Sequence, residues 1–272
     1  MDYLPLHDLL NPFHFLPHTT MLHRSIFACA LFAAVCFLPT HSVHADMYLG
    51  NGNSGFGGVL GTGSLELTQG TGADSTKIFG NFARGGGNFN DALIIYIDSE
   101  TGGFSNTSSF NDTADELRSG VSGFDGTDRS TVNFAAGFEA DYAIGMKVFG
   151  GSSTDFAGLF DLDSSSHGFV TSVGTGGLDA QSNSNFTFEF DLADIGLGLT
   201  DDFRFVATYL NSTNAFRSDE AIGAGIGPGN PGNGGSVTFT NSLLFSSVPE
   251  PTTALTFGAC LVGIGFRRRR GN

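Results

Sequence analysis

The sequence predicts an all-β domain, a single β-sandwich of jelly-roll or immunoglobulin-like kind, flanked by an N-terminal signal peptide and a C-terminal single transmembrane helix. Three observations predict the domain. Glycine supplies 40 of 272 residues, about twice its usual share of roughly 7%. Short runs rich in Phe, Val, Ile and Thr are punctuated by clusters of Gly, Ser, Asn and Asp, the pattern of many strands joined by turns. No ten-residue helical pattern lies between those runs, which leaves sheets packed on sheets as the expected architecture.

The elements follow in order. Residues 1–20, MDYLPLHDLLNPFHFLPHTT, hold three prolines and no Lys or Arg, and are expected to be either a mis-assigned start, with translation beginning at Met21, or a disordered extension. Residues 21–45 have the plan of a signal peptide: MLHRS, the 13-residue apolar run Ile26 to Leu38, then Val43-His44-Ala45 before Asp46. Small residues at the −3 and −1 positions place the cleavage between Ala45 and Asp46. Residues 46–247 form the expected domain. Its predicted strands are Ser64 to Thr68, Lys77 to Phe82, Ala92 to Asp98, Thr131 to Phe134, Tyr142 to Phe149, Phe156 to Leu162, Phe169 to Val173, Phe186 to Asp191, Phe203 to Leu210 and Val237 to Thr240. Phe186-Thr187-Phe188-Glu189-Phe190 alternates aromatic and polar faces. Helical turns are expected only at Thr113 to Arg118 and Leu192 to Leu199. Ile222 to Gly235, IGAGIGPGNPGNGG, reads as a flexible exposed loop before a last strand at Val237 to Phe245.

Residues 248–272 are organised differently. Val248-Pro249-Glu250-Pro251 is followed by the apolar stretch Thr252 to Phe266, then Arg267, Arg268, Arg269 and Arg270. Two prolines fix two φ angles and remove two donors, so a helix can begin after them but cannot run back through them. Fifteen helical residues would span about 22 Å, short of the roughly 30 Å hydrocarbon core. The arginines resist translocation, act as a cytoplasmic stop and can snorkel to the headgroups. Residues 252–266 are thus a short transmembrane segment, residues 267–270 its basic tail, and everything upstream lies outside the cytoplasm. This tripartite tail resembles a PEP-CTERM sorting signal. The resemblance implies recognition by a membrane-embedded exosortase, cleavage near Pro249-Glu250-Pro251, transient anchoring in the inner membrane, and delivery to the outer surface or exopolysaccharide matrix of a bacterium.

Residue inventory restricts the chemistry of the domain. Cys29, Cys36 and Cys260 all fall outside residues 46–247, so the domain has no disulfide, Cys nucleophile or Cys-ligated zinc. Six of seven histidines lie at or before His44. The remaining one, His167, sits in Ser164-Ser165-Ser166-His167-Gly168, which reads as a turn, and any Ser-His-Asp arrangement would depend on it. Residues 46–247 carry 24 Asp and Glu against 7 Lys and Arg, a net −17. Such an excess of acid argues against nucleic acid as a partner, and against anionic lipid surfaces.

Two acidic groups are candidate sites. Asp161-Leu162-Asp163-Ser164-Ser165 places oxygens at positions 1, 3 and 5 of a calcium-type loop, but Ser166 replaces the turn glycine and Ser172 the bidentate Glu. It is no EF-hand. A looser Ca²⁺ site from Asp161 and Asp163, with Asp98 or Glu100 from another turn, remains as an expectation; no other cofactor is expected. Asp191, Asp194, Asp201 and Asp202 offer carboxylates for glycoside hydrolysis if two face a cleft, against the plainer reading of capping and turn formation.

A second resemblance concerns the domain. Ala92 to Gly103 (ALIIYIDSETGG), Gly137 to Gly145 (GFEADYAIG), Phe188 to Gly196 (FEFDLADIG) and Phe203 to Ala207 (FRFVA) resemble strands of the sandwiches that include family 9 carbohydrate-binding modules and DOMON domains. It implies binding without catalysis, of sugars in one branch and haem in another. Trp is absent, the domain's tyrosines are Tyr48, Tyr96, Tyr142 and Tyr209, and axial haem ligands would have to come from Met47, Met146 or His167. Phe, at 28 residues, is expected mainly in the core. The leading expectation is a noncatalytic, structural or adhesive surface protein whose partners are an exosortase and extracellular polysaccharide or matrix. A carbohydrate-binding module and a secreted carboxylate-dependent hydrolase are the alternatives.

Overall fold

The computed structural model describes residues 45–148 and 156–247. The 1–20 stretch, all but the last residue of the 21–45 signal peptide, and 248–272 with its sorting motif, transmembrane segment and arginines lie outside the described residues. What is described is an all-β structure dominated by two open sheets. The first sheet has the order β1 (Ala45–Leu49), β2 (Ser64–Gln69), β3 (Lys77–Ala83), β10 (Asn185–Asp191), β9 (Gly174–Gly176). The second has the order β12 (Phe216–Ile222), β11 (Phe203–Asn211), β4 (Ala92–Asp98), β6 (Tyr142–Lys147), β7 (Phe156–Asp161), β8 (Gly168–Ser172), and β14 (Leu243–Phe245) also pairs with β11. All their ladders are antiparallel. A short parallel ladder joins β5 (Thr131–Asn133) to β13 (Ser236–Thr238).

The two large sheets meet through one core. Leu65, Leu67, Ile78, Phe82, Phe186, Phe188 and Phe190 from the first pack in one buried cluster with Leu93, Ile95, Ile97, Ile144, Leu159, Phe205 and Tyr209 from the second. On β10 the expected alternation holds: its three phenylalanines are buried while Thr187 and Glu189 remain half-buried. Each buried Phe contributes roughly 1.5–3 kcal/mol of transfer free energy. Phe188 lies directly opposite Gly80 on β3, and a Cβ there would fall 2.1 Å from the Phe188 ring.

The second sheet is covered on both faces. Ala92, Ile94 and Tyr96 turn away from the first core into a second cluster with Leu117, Val121, Val132, Phe134, Phe138 and Phe239. Strand β4 therefore reads as an unbroken apolar run, as strands buried on both sides do. Part of that cover is α1 (Glu116–Ser122). The expected turn at Thr113 to Arg118 starts later because Asp115 is its N-cap, accepting the Arg118 N–H at 2.9 Å. At the other end, Gly123 takes the left-handed φ of +59° that closes the helix.

The ten predicted strands are present with ends moved by a residue or two, Phe149 lying outside the described residues. The expected last strand, Val237 to Phe245, is instead two: β13 joins β5 and β14 joins β11. Strands β1, β9 and β12 are additions. The Ile222–Gly235 loop, expected to be flexible, is tied down: Asp219 accepts the Gly229 N–H at 2.6 Å and donates its own N–H to Asn230 at 3.0 Å.

Candidate functional site

The C-terminal boundary of the domain is built from β14 and the loop before β11. Phe245 is fully buried against Phe203, ring centroids 5.1 Å apart, as the register Phe203 to Phe245 requires. The Tyr48 hydroxyl, on β1 of the other sheet, donates to the Leu244 carbonyl at 2.8 Å and lies 3.1 Å from Asp46 Oδ2. Burial and then the Asp46 charge push the Tyr48 pKa up. Beyond Phe245, Asp202 Oδ1 accepts both the Ser246 hydroxyl at 2.9 Å and the Ser247 N–H at 3.0 Å. The Ser247 hydroxyl donates to the Asp201 carbonyl at 2.8 Å, and Ser247 is only 4% exposed. At the other boundary, Ala45 and Asp46 open β1, paired with Thr68 and Leu67.

Each of the four candidate carboxylates accepts a hydrogen bond within the fold. Asp191 accepts the Thr76 hydroxyl, Asp194 the Asp191 N–H, and Asp201 the Gly198 N–H; Asp202 holds Ser246 and Ser247. Asp194 and Asp201 thus accept within their own turns, while Asp191 and Asp202 tie segments distant in sequence. Asp163 accepts the Ser165 N–H and hydroxyl and the Ser166 N–H, and these bonds hold its pKa below the carboxylate range. Asp98 ends β4 and Asp161 ends β7, with β6 running between them. Burial raises the Asp98 pKa. Among the described residues no group of three or more His, Cys, Asp or Glu is placed to hold a metal ion. The expected calcium set of Asp98, Asp161 and Asp163 is thus not brought together, because the strand between them separates two members and a turn occupies the third.

His167 lies in the expected turn, but it is a buried cross-tie. Its Nδ1 faces the Asp163 N–H at 3.3 Å and its Nε2 lies 3.0 Å from Ser122 Oγ. A backbone N–H can only donate, so the neutral ring carries its proton on Nε2 and gives it to Ser122, whose own hydroxyl donates to the Asp112 carbonyl. The Asp112 carboxylate accepts the His167 backbone N–H at 2.8 Å. These contacts run opposite to what a general base needs, since the nitrogen facing serine is the donor. Burial pushes the His167 pKa down from 6.5 to about 4, against the opposing charges of Asp112, Asp163 and Asp115 and together with the charge of Arg118.

A measurable pH dependence follows. The unfolded chain takes up the proton first, so the contribution of His167 to stability is present above about pH 6.5 and lost as the pH falls toward about 4. It amounts to at most about 3 kcal/mol. Urea midpoints are expected to fall across this window, and more shallowly in His167→Gln, which keeps an acceptor and a donor without the titrating ring.

Besides Asp112, the buried acids Asp219 and Glu220 escaped sequence reasoning. Glu220 is fully buried and accepts four backbone N–H groups, from Phe56 and Gly58 on Oε1 and from Leu60 and Gly61 on Oε2, at 2.6–3.2 Å. Asp219 accepts the Gly55 N–H at 3.0 Å. A register shift between β11 and β12 at Ser218 to Glu220 aims both at the glycine-rich loop before β2. In the sequence they stand beside Arg217 and Ser218, and nothing local marks them as buried.

One cleft has an aromatic character. An open cleft of about 470 Å³ is lined by Asp115, Glu116, Leu117, Arg118, Phe156, Phe160 and Phe169. Phe169 on β8 is 49% exposed, and the Arg118 guanidinium lies 5.3 Å from the Phe160 ring centre. An apolar floor with charged groups at the rim can take a ligand that has one apolar face and several hydroxyls.

The PEP-CTERM protein-sorting motif family matches the chain over residues 247–270. No curated protein and no solved structure matches the chain. The chain therefore carries a PEP-CTERM sorting motif, consistent with an exosortase substrate, and the match starts on Ser247, the last described residue. Among the described residues no helix is long and apolar enough to cross a membrane.

Proposed function

We propose that this chain is a noncatalytic secreted or surface protein, sorted by an exosortase to the cell envelope or exopolysaccharide matrix, where its acidic domain has a structural or adhesive role. The observation that carries the proposal is the sorting motif at residues 247–270, joined without a spacer to a folded domain. In this reading Pro249-Glu250-Pro251 marks the cleavage region, Thr252 to Phe266 spans the inner membrane temporarily, and Arg267 to Arg270 stop transfer. The domain is read as a β-sandwich because residues of both sheets share one core. A noncatalytic role is favoured by the commitment of the candidate carboxylates to hydrogen bonds within the fold and of His167 to a structural cross-tie. Net negative charge keeps such a domain soluble outside the cell.

The aromatic cleft favours a second reading, a carbohydrate-binding module. Binding to immobilised glycans that disappears in Phe169→Ala, with the fold intact, would establish it; an inert array leaves the structural role.

Sorting itself is tested by expressing the full chain and a chain ending at Ser247 in a host with an exosortase, then fractionating the cells. The full chain is expected on the surface or in the matrix in cleaved form. The shortened chain is expected to cross the inner membrane and never reach the surface. Full-length protein that stays uncleaved in the membrane fraction contradicts the proposal.

A further inference from the structure

A protease needs its substrate as an extended, accessible segment, so a bond inside a hydrogen-bonded element is cut only after local opening. On the N-terminal side of the sorting motif the backbone is tied into the fold, even where a side chain such as Leu244 faces solvent. Leu243, Leu244 and Phe245 pair with Phe205, Arg204 and Phe203, Phe245 has no exposed surface, and Leu244 is held a second time by Tyr48 from the other sheet. The last two described residues then converge on one side chain. A single carboxylate oxygen of Asp202 takes the Ser246 hydroxyl and the Ser247 N–H, bonds to an ionised acceptor that are stronger than neutral ones. Asp201 adds its carbonyl as acceptor for the Ser247 hydroxyl.

We propose that Asp202 is a positioning residue for sorting: by locking Ser246 and Ser247 into the fold it confines cleavage to the C-terminal side of Ser247. The inference rests on the exosortase reading above and adds to it a boundary set by the fold. It also places the order of events. The domain folds, with β1 docked so that Tyr48 reaches Leu244, before the handle is cut, and the cut leaves β14 in place. Asp202 and Ser247 lie 45 residues apart in sequence, so the boundary exists only in the folded chain.

The test uses the full chain in an exosortase-bearing host, with the C-terminus of the cleaved product mapped by mass spectrometry. Wild type is expected to give C-termini only at Val248 or beyond. Asp202→Ala is expected to raise by about tenfold the share of product ending at or before Ser247, as the clamp opens more often. Asp202→Asn keeps an acceptor oxygen and is expected to restore most of the wild-type pattern, which separates positioning from a general loss of stability. A wild-type product ending at or upstream of Ser247 overturns the inference while leaving sorting intact, and so does an Asp202→Ala pattern identical to wild type. If Asp202→Ala fails to fold, Ser246→Ala, which removes one of the two bonds to Asp202, is expected to shift the termini in the same direction to a smaller extent, and a pattern identical to wild type overturns the inference. A wild-type chain never cleaved at all removes the sorting reading and this boundary with it.

Discussion

Glu220→Ala is expected to cost the domain about 4 kcal/mol, out of a total stability that for domains of this kind is roughly 5–15 kcal/mol. The carboxylate is the shared acceptor of four N–H groups in the loop between β1 and β2. Removing it leaves four donors facing a cavity, each costing about 1–3 kcal/mol if dry, with water entering the space relieving part of that. Glu220→Gln keeps one carbonyl oxygen for two of the donors but turns an NH₂ toward the other two, and an intermediate loss of about 2–3 kcal/mol is expected. The loop itself could not be replaced by larger residues, since a Cβ on Gly61 would lie 2.1 Å from the Asn53 carbonyl oxygen. Urea denaturation of the three proteins checks the order. An alanine variant within about 1 kcal/mol of wild type would show that the loop is held by something other than Glu220.

Gly80→Ala is the second large effect, with a loss of about 3 kcal/mol expected. The cross-strand pair Gly80 and Phe188 lets the ring lie down over the glycine backbone, and the three nearest atoms to a new Cβ are all in that ring, at 2.1–2.4 Å. The ring cannot lift easily, because it is buried in the shared core beside Phe190, 6.5 Å away and nearly parallel. Paired with Phe188→Leu, the alanine is expected to cost much less than it does alone, giving a coupling energy above about 1 kcal/mol in a double-mutant cycle. Additive losses would mean that the contact is not the source of the effect.

Legibility differed between elements for physical reasons. The Phe-x-Phe-x-Phe of β10 announces both its conformation and its inward face, because one side of that sheet is less covered. In β4 the strand was legible but its double burial was not, since the layer that covers its second face comes from residues 104–140 and 237–239, whose short elements do not announce where they pack. Strand β12, Phe216-Arg217-Ser218-Asp219-Glu220-Ala221-Ile222, was missed because three charged residues suggest solvent. Arg217 is instead fully buried, donating to Ser130 Oγ and Thr208 Oγ1, and burial lowers its pKa. The sorting tail was legible in full because its signal is local: a proline break, an apolar stretch and a basic end in that order. Asp202 was visible only as one of four acids, and its tie to Ser247 had to come from the fold.

The claim that matters most is that the folded acidic domain is delivered without its handle. Intact-mass measurement of the protein recovered from the cell surface or matrix tests it most directly. The expected mass is that of a chain beginning at Asp46 and ending between Val248 and Pro251, lacking Thr252 to Phe266 and the four arginines. A surface protein whose mass still includes Thr252 to Arg270 would contradict it, and would make the tail a permanent anchor.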